Sequence, residues 1–178
     1  MSKQIHIDPA ALRTALGQYA TGVAVVTTLD ADGRPTGLTV NSFASVSLDP
    51  PLVLWSLALT SACLPAFRAC GHFVVNVLAA DQVEISNRFA KTGHDKFADL
   101  SWTPGLGGAP LLEGCCAFFE CSNEARHAGG DHLIFIGRVE HFGRHHKQPL
   151  LFHGGRYCER AELPHAPAIP RKHGKEKT

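Results

Sequence analysis

From Gly37 to Leu48 the chain reads GLTVNSFASVSL, an alternating stretch whose polar residues are all small and neutral. Taken every second position, one face carries Leu38, Val40, Ser42, Ala44, Val46 and Leu48, and the other Thr39, Asn41, Phe43, Ser45 and Ser47. No charged residue occurs between Pro35 and Leu48. Two chemistries suit such a row. Either it meets protein, at a subunit interface or across neighbouring strands, or it surrounds a planar, polar, largely uncharged ligand. Such a ligand needs hydrogen bonds on its edges and apolar contact on its faces. A little further on, Ser56, Thr60 and Ser61 place hydroxyls around an expected strand-to-helix junction, a position suited to a phosphate. Lys96, in a loop preceded by Gly93, adds a positive charge. A ring, a chain and a phosphate together describe a flavin nucleotide. No GxGxxG follows a strand, so a Rossmann dinucleotide fold is not supported.

Other residue types that do chemistry are present without the spacing that would use them. The segment HFGRHH holds His141, His145 and His146, but it follows a strand and contains Gly143, so it reads as a solvated loop and no metal site is expected. The 6 cysteines include the adjacent Cys115 and Cys116 and no CxxC pair, and they are expected as free thiols. A formal net charge of +1 gives no electrostatic reason to expect nucleic acid or an anionic membrane as partner. The N-terminal stretch lacks a continuous apolar core and therefore reads as no secretory signal. The uncharged run from Pro50 to Phe67 approaches the length of a membrane span, but Pro50, Pro51 and Pro65, with Ser56, Thr60 and Ser61, would break and hydrate such a helix. A cytoplasmic protein is expected.

The elements that must position these residues are mostly strands. Asp8 and Pro9 start a helix whose stripe is Leu12, Ala15, Leu16 and Tyr19, with Gly22 as its stop. VAVVTTL, residues 23–29, is a β-branched strand, Asp32-Gly33 marks a hairpin, and the neutral row is its return strand up to Asp49-Pro50-Pro51. LVLWSL reads as a buried strand, followed by a short helix from about Ser61 that carries Phe67. HFVVNVL is a further strand, and DQVEISNRFA a helix with Asp81 and Glu84 spaced as a capping box. CCAFFECSNEARHA, DHLIFIGRVEHF and LLFHGGRYCE complete the pattern as three strands. Many strands and few short helices predict a mainly β fold, a closed or nearly closed barrel. The 178 residues divide into one domain over residues 1–160 and a flexible C-terminal tail over 161–178.

The runs YATGVAVVTT, GLTVNSFASVSLDPPLVLWSL, FVVNVLAADQVEISNRFA, HDKF, GDHLIFIGRV and PLLFHGGRY, in that order, resemble the flavin reductase family. These are the small NAD(P)H:flavin oxidoreductases that serve two-component flavin-dependent monooxygenases. The resemblance covers about Leu12 to Tyr157 and implies an FMN-binding split β-barrel with a few short helices, present as a homodimer. It implies FMN as the flavin, with FAD possible, and NADH or NADPH as hydride donor. Thr39, Val40, Asn41 and Ser42 would contact the isoalloxazine edge, with Ser45 close by. Ser56, Leu57 and Ser61 would line the ribityl and phosphate path, Lys96 would pair with the phosphate, and Phe89 would sit near the ring or the nucleotide tail. Asn76 has two readings, contact with the cofactor or satisfaction of neighbouring backbone.

His132, Arg156 and Tyr157 would lie on the nicotinamide side; as bare sequence His132 is a strand-start histidine held by Asp131. Hydride passes between stacked rings, so no catalytic acid, base or nucleophile is expected. The partner would be a separate monooxygenase reached by diffusing reduced flavin. A flavin-binding carrier or redox sensor on the same fold is the alternative.

Overall fold

Asp8 opens the first helix by accepting hydrogen bonds from the N–H groups of Ala10 and Ala11 at 3.1 and 3.3 Å. This is seen in a computed structural model, which describes residues 7–93 and 95–161. The helix, α1 (Pro9–Leu16), stops at its C-cap Gly17, short of the expected Gly22. The N–H groups of Gln18 and Tyr19 turn to the carbonyls of Ala15 and Leu16, tightening the chain out of helical register. The apolar stripe Leu12, Ala15, Leu16 and Tyr19 is exposed.

The strands follow as β1 (Thr21–Gly22), β2 (Ala24–Leu29), β3 (Pro35–Val40), β4 (Ala44–Leu48) and β5 (Pro51–Ala58). After α2 (Leu64–Ala69) come β6 (His72–Val77), α3 (Val83–Ala90), β7 (Trp102–Pro104) and β8 (Pro110–Leu112). The long strands β9 (Ala117–Gly129) and β10 (His132–Arg144) and the short β11 (Leu151–His153) and β12 (Arg156–Cys158) complete the order. Seven strands form one antiparallel sheet in the order β3-β2-β6-β9-β10-β5-β4. Among the described residues no ladder joins its edges β3 and β4, so the mainly β fold is a sheet that curls without closing. Of the tail expected over residues 161–178, only Ala161 is described.

The single strand expected from Gly37 to Leu48 is in fact β3 and β4, with a break at residues 41–43. The cause lies in which side chains reach the core. Leu38, Val40 and Phe43 all pack against one apolar cluster, which strict alternation forbids because positions 40 and 43 would face opposite ways. The break restores Phe43 to the core side, where it meets Phe119 at 5.4 Å between ring centroids. Ser42 fixes the corner: its Oγ accepts from the Ser56 N–H at 3.0 Å and donates to the Ser56 carbonyl at 3.3 Å. LLFHGGRYCE, expected as one strand, is the hairpin β11–β12, because Gly154 and Gly155 take positive φ at 56° and 79°. The capping box expected from Asp81 and Glu84 is absent. Gln82 instead accepts from the Ala79 N–H at 2.9 Å, and Asp81 pairs with Lys147 at 3.2 Å.

β2 is uncharged and almost wholly buried because both of its faces are covered, and its two polar residues, Thr27 and Thr28, donate to the Pro110 and His72 carbonyls. Ala24 and Val26 join Trp55, Phe67, Phe73 and Phe135 in one core, where Trp55 stacks on Phe135 at 4.6 Å. Val23 and Val25 join Leu78, Phe89, Leu112 and Leu150 in a second core between the sheet and α3. All six cysteines are free thiols. Burial pushes the thiols of Cys115 and Cys121 up to about 12, so both stay protonated and unreactive at neutral pH. Among the described residues no three His, Cys, Asp or Glu side chains are grouped to hold a metal, and no helix is long and apolar enough to cross a membrane.

Candidate functional site

The approach of α3 to β3 creates a cleft, and a glycine permits that approach. Gly37 is buried, and a Cβ there would lie 2.8 Å from the Val26 carbonyl oxygen and 3.2 Å from Cε1 of Phe89. Without a side chain at 37, Phe89 at the end of α3 lies against the strand. Above this contact opens a cleft of about 440 Å³. Its walls are β3 residues 35–39, the turn 60–63 between β5 and α2, and residues 89–93 and 95–97 from the end of α3 and the loop after it. The volume falls in the range usual for a small-molecule site.

Lys96 fastens this loop to both walls. Its Nζ donates to the carbonyls of Gly37 and Phe89, each at 3.1 Å, and stands 5.9 Å from the centroid of the Phe89 ring. The Phe89 carbonyl belongs to the last turn of α3, where carbonyls lack helical partners and the helix dipole favours a cation. The opposite side of α3 is held through Ser86, which is fully buried. Thr39 Oγ1 donates to the Ser86 carbonyl at 2.7 Å. Ser86 Oγ and the Tyr157 hydroxyl are 2.9 Å apart, and Tyr157 donates to Asn87 Oδ1 at 3.0 Å, which leaves the Ser86 hydroxyl as donor to Tyr157. A hydrogen-bonded chain thus runs from β3 through α3 to β12.

Of the expected flavin-contacting residues, the structure brings Thr39, Ser61, Phe89 and Lys96 to the cleft. Val40 and Leu57 do not line it: both side chains are buried in the core with Trp55, so neither offers a side chain to a ligand. Ser42 and Ser56 are engaged with each other at the sheet corner. Asn41 is exposed at that corner and Ser45 is exposed on the edge strand β4.

The expected nicotinamide-side set is divided. His132, half-exposed, begins β10 opposite Ala58, with Nδ1 2.7 Å from Asp131 Oδ1, and that hydrogen bond holds the Asp131 carboxyl below the usual range. Arg156 is exposed and Tyr157 faces α3, on the separate small sheet β1-β11-β12. Asn76, left open between two readings, is structural. It is fully buried, its Nδ2 lies within 3.3 Å of the Val25 carbonyl, Thr27 Oγ1 and the Pro110 carbonyl, and its Oδ1 accepts from the Leu112 N–H at 2.9 Å.

Thr36, Gly37, Cys63 and Phe97 also line the cleft and were not singled out from the sequence. The face that carries Thr39 continues back to Gly37, so the pattern held a signal for that residue. Nothing local marked Cys63 or Phe97. What the cleft offers chemically is a set of neutral hydroxyls from Thr36, Thr39, Thr60, Ser61 and Thr92, apolar surface from Leu38 and Phe97 backed by the buried Phe89, the ammonium groups of Lys91 and Lys96, and the carboxylate of Asp95. That set suits a flat ring system with polar edges joined to an anionic group.

A family profile described as "Flavin reductase like domain" matches residues 16–161. The chain is 49% identical over 145 residues to FMN reductase (NADH) SmoA of Agrobacterium fabrum, covering 82% of each chain. It is 45% identical over 152 residues to the reductase subunit HsaB of a flavin-dependent monooxygenase from Rhodococcus jostii, covering 85% of this chain and 77% of that one. Some relatives are longer, and the chain spans 43% of one from Rhizobium meliloti. Among solved structures, the NADH:FAD oxidoreductase SgcE6 of Streptomyces globisporus, in complex with NAD and FAD fragments, is similar with a TM-score of 0.82 and 38% identity. That similarity covers 92% of this chain and all of that one.

Proposed function

The chain belongs to the flavin reductase-like family, and from that premise we infer that it is an NAD(P)H-dependent flavin reductase supplying reduced flavin to a separate flavin-dependent monooxygenase. The observation that carries this reading is the composition of the cleft: neutral hydroxyls and apolar surface along its walls, with the ammonium groups of Lys91 and Lys96 against the single carboxylate of Asp95 among the described lining residues. A flavin fits that donor set. Its ring edges are polar and uncharged, its faces apolar, and its phosphate anionic. A bound flavin would supply the hydride acceptor for a dihydronicotinamide.

The residues of the chain supply orientation and exclusion of water. In this reading Thr39 and Ser61 would bond the flavin's polar groups, Phe97, backed by the buried Phe89, would give an apolar contact, and Lys96 would neutralise the phosphate. The lack of carboxylates from Pro35 to Leu48 also serves reduction, since a fixed negative charge beside the ring would oppose the charge that reduction adds. Asn41, Ser42 and Ser45 are proposed to border the ring at the corner between β3 and β4. Val40 and Leu57 contribute through their backbone only.

His132, Arg156 and Tyr157 are assigned to the side from which NADH enters. The exposed edge strand β4, without a charged residue, supports a homodimer whose second chain completes the flavin site around Asn41 and Ser45. Reduced flavin passes to the monooxygenase by diffusion, FMN and NADH are the preferred pair, and the protein acts in the cytoplasm.

The test is the loss of NADH absorbance in air by the purified protein with FMN, FAD or no flavin added. Turnover that rises with flavin and saturates is expected, and ranks the two flavins. Flavin binding with no turnover from either NADH or NADPH would overturn the reductase reading in favour of a carrier or sensor.

A further inference from the structure

The buried face of α3 meets β3 at two points one helical turn apart. Ser86 and Phe89, at i and i+3 on the helix, are both buried, and Gly37 and Thr39 share one face of β3. Phe89 lies against Gly37, where the bonds of Lys96 fasten the contact. At the other point Thr39 Oγ1 donates to the Ser86 carbonyl at 2.7 Å. Ser86 does not line the cleft. Its side chain turns instead to the hairpin β11–β12, with Oγ 2.9 Å from the Tyr157 hydroxyl. The direction of every bond in this chain is fixed. Tyr157 donates its hydroxyl proton to Asn87 Oδ1 at 3.0 Å, so Ser86 donates its own to Tyr157. A carbonyl only accepts, so Thr39 donates to Ser86, and what remains on the Thr39 oxygen is lone pairs. Tyr157 is steadied in turn by the Phe152 ring, 5.5 Å away between centroids.

We propose that Ser86 and Tyr157 are positioning residues for the flavin site, which hold α3 against β3 and keep the Thr39 hydroxyl proton committed, so that Thr39 meets the flavin as a hydrogen-bond acceptor. The inference rests on the flavin reductase reading and gives one wall of the cleft a polarity. An acceptor does nothing for a phosphate or a ring carbonyl, which present lone pairs of their own. It selects an N–H or O–H group. An oxidised flavin has two sources of such a group, the imide N–H of its ring and the hydroxyls of its ribityl chain, and an experiment separates them. The phosphate is left to the ammonium groups of the cleft. Ser86, fully buried, acts only through its neighbours. Without its bond to Tyr157, α3 is pinned on one side only, and the Ser86 carbonyl is free to shift away from Thr39. The Thr39 hydroxyl then turns its proton toward the cleft and loses its selectivity for a donor. Tyr157 keeps its bond to the exposed Asn87 in that case, so the effect belongs to the pin on α3.

Affinity of the full-length protein is measured by fluorescence titration with three probes: FMN, lumiflavin, which lacks the ribityl chain, and 3-methyllumiflavin, in which the imide N–H is blocked. Thr39→Val is expected to weaken FMN about tenfold, the loss of one hydrogen bond, and Thr39→Ser, which keeps the hydroxyl, to lose much less. A native preference for lumiflavin over its 3-methyl form that falls in Thr39→Val assigns the donor to the ring. A loss on FMN with lumiflavin unchanged assigns it to the ribityl chain. Ser86→Ala and Tyr157→Phe are each expected to weaken FMN about threefold, and the double variant no more than the weaker-binding single one, because both break the same bond. Both are also expected to shift the preference among the probes in the direction that Thr39→Val does. A ratio of affinities does not depend on how much of a variant is folded, so a purely structural role leaves it unmoved. The proposal is overturned if Thr39→Val binds all three probes as the native protein does, or if the losses of Ser86→Ala and Tyr157→Phe multiply. Because binding needs no NADH, a protein that shows this coupling yet reduces no flavin would count against the reductase reading and not against the positioning. A native protein that binds none of the probes overturns both.

Discussion

Lys96 does two things with one ammonium group. Two carbonyls, of Gly37 and Phe89, hold it at 3.1 Å, and those bonds fasten the loop after α3. An ammonium has three donors, so one remains for an anion in the cleft. Lys96→Ala is expected to weaken flavin binding by about 1.5–3 kcal/mol, the usual worth of a charge-assisted hydrogen bond, or roughly ten- to a hundredfold in Kd by fluorescence titration. Lys96→Arg, which keeps the charge, should recover part of it. An alanine variant with native flavin affinity would leave Lys96 as a helix and loop tether only. By contrast, the side chains of Val40 and Leu57 are directed into the core.

At the scale of elements, a buried polar group ties together strands that lie outside the walls of the cleft. Asn76 on β6 joins β2, at Val25 and Thr27, to β8, at Pro110 and Leu112. Asn76→Ala would leave the buried Leu112 N–H without this partner, while the Pro110 carbonyl keeps its bond from Thr27 Oγ1. Such a buried group costs about 1–3 kcal/mol, so a marked fall in the midpoint of chemical unfolding is expected. Flavin affinity of the folded fraction should be unchanged. A variant of native stability that bound flavin poorly would instead put Asn76 in the site. The break between β3 and β4 belongs to the same scale, because it takes the chain from one edge of the seven-stranded sheet to the other.

For the whole molecule, the unusual surface is the edge β4. Val46 is 48% and Leu48 94% exposed, on a strand with an open hydrogen-bonding edge and no charge to discourage pairing. Proteins that stay monomeric protect such edges with charge, proline or a covering element. In the proposed homodimer this edge is covered by the second chain. Light scattering should give twice 19.1 kDa for the native protein, and the double variant Val46→Lys, Leu48→Lys should shift it toward 19.1 kDa. A monomeric native protein would remove the dimer from the functional proposal.

Contiguous features were legible in the chain alone. The Asp8 cap, the Asp32-Gly33 turn, the β-branched run of β2 and the neutral row after Pro35 each depend on neighbours a few residues away, and so did the ordered motifs that pointed to the family. Of the residues that line the cleft, Thr39, Ser61, Phe89 and Lys96 were named in this way. The tertiary structure decided what periodicity does not carry. Packing on both faces of a strand settled that Phe43 turns toward the core along with Val40, and so broke the neutral row in two. Contacts across the chain settled which polar groups bind backbone and which line a cleft: Ser42 with Ser56, Asn76 with four partners, and Lys96 with a carbonyl 59 residues away. A side chain's direction and its partner are properties of the space around it, and that space exists only once distant segments have met.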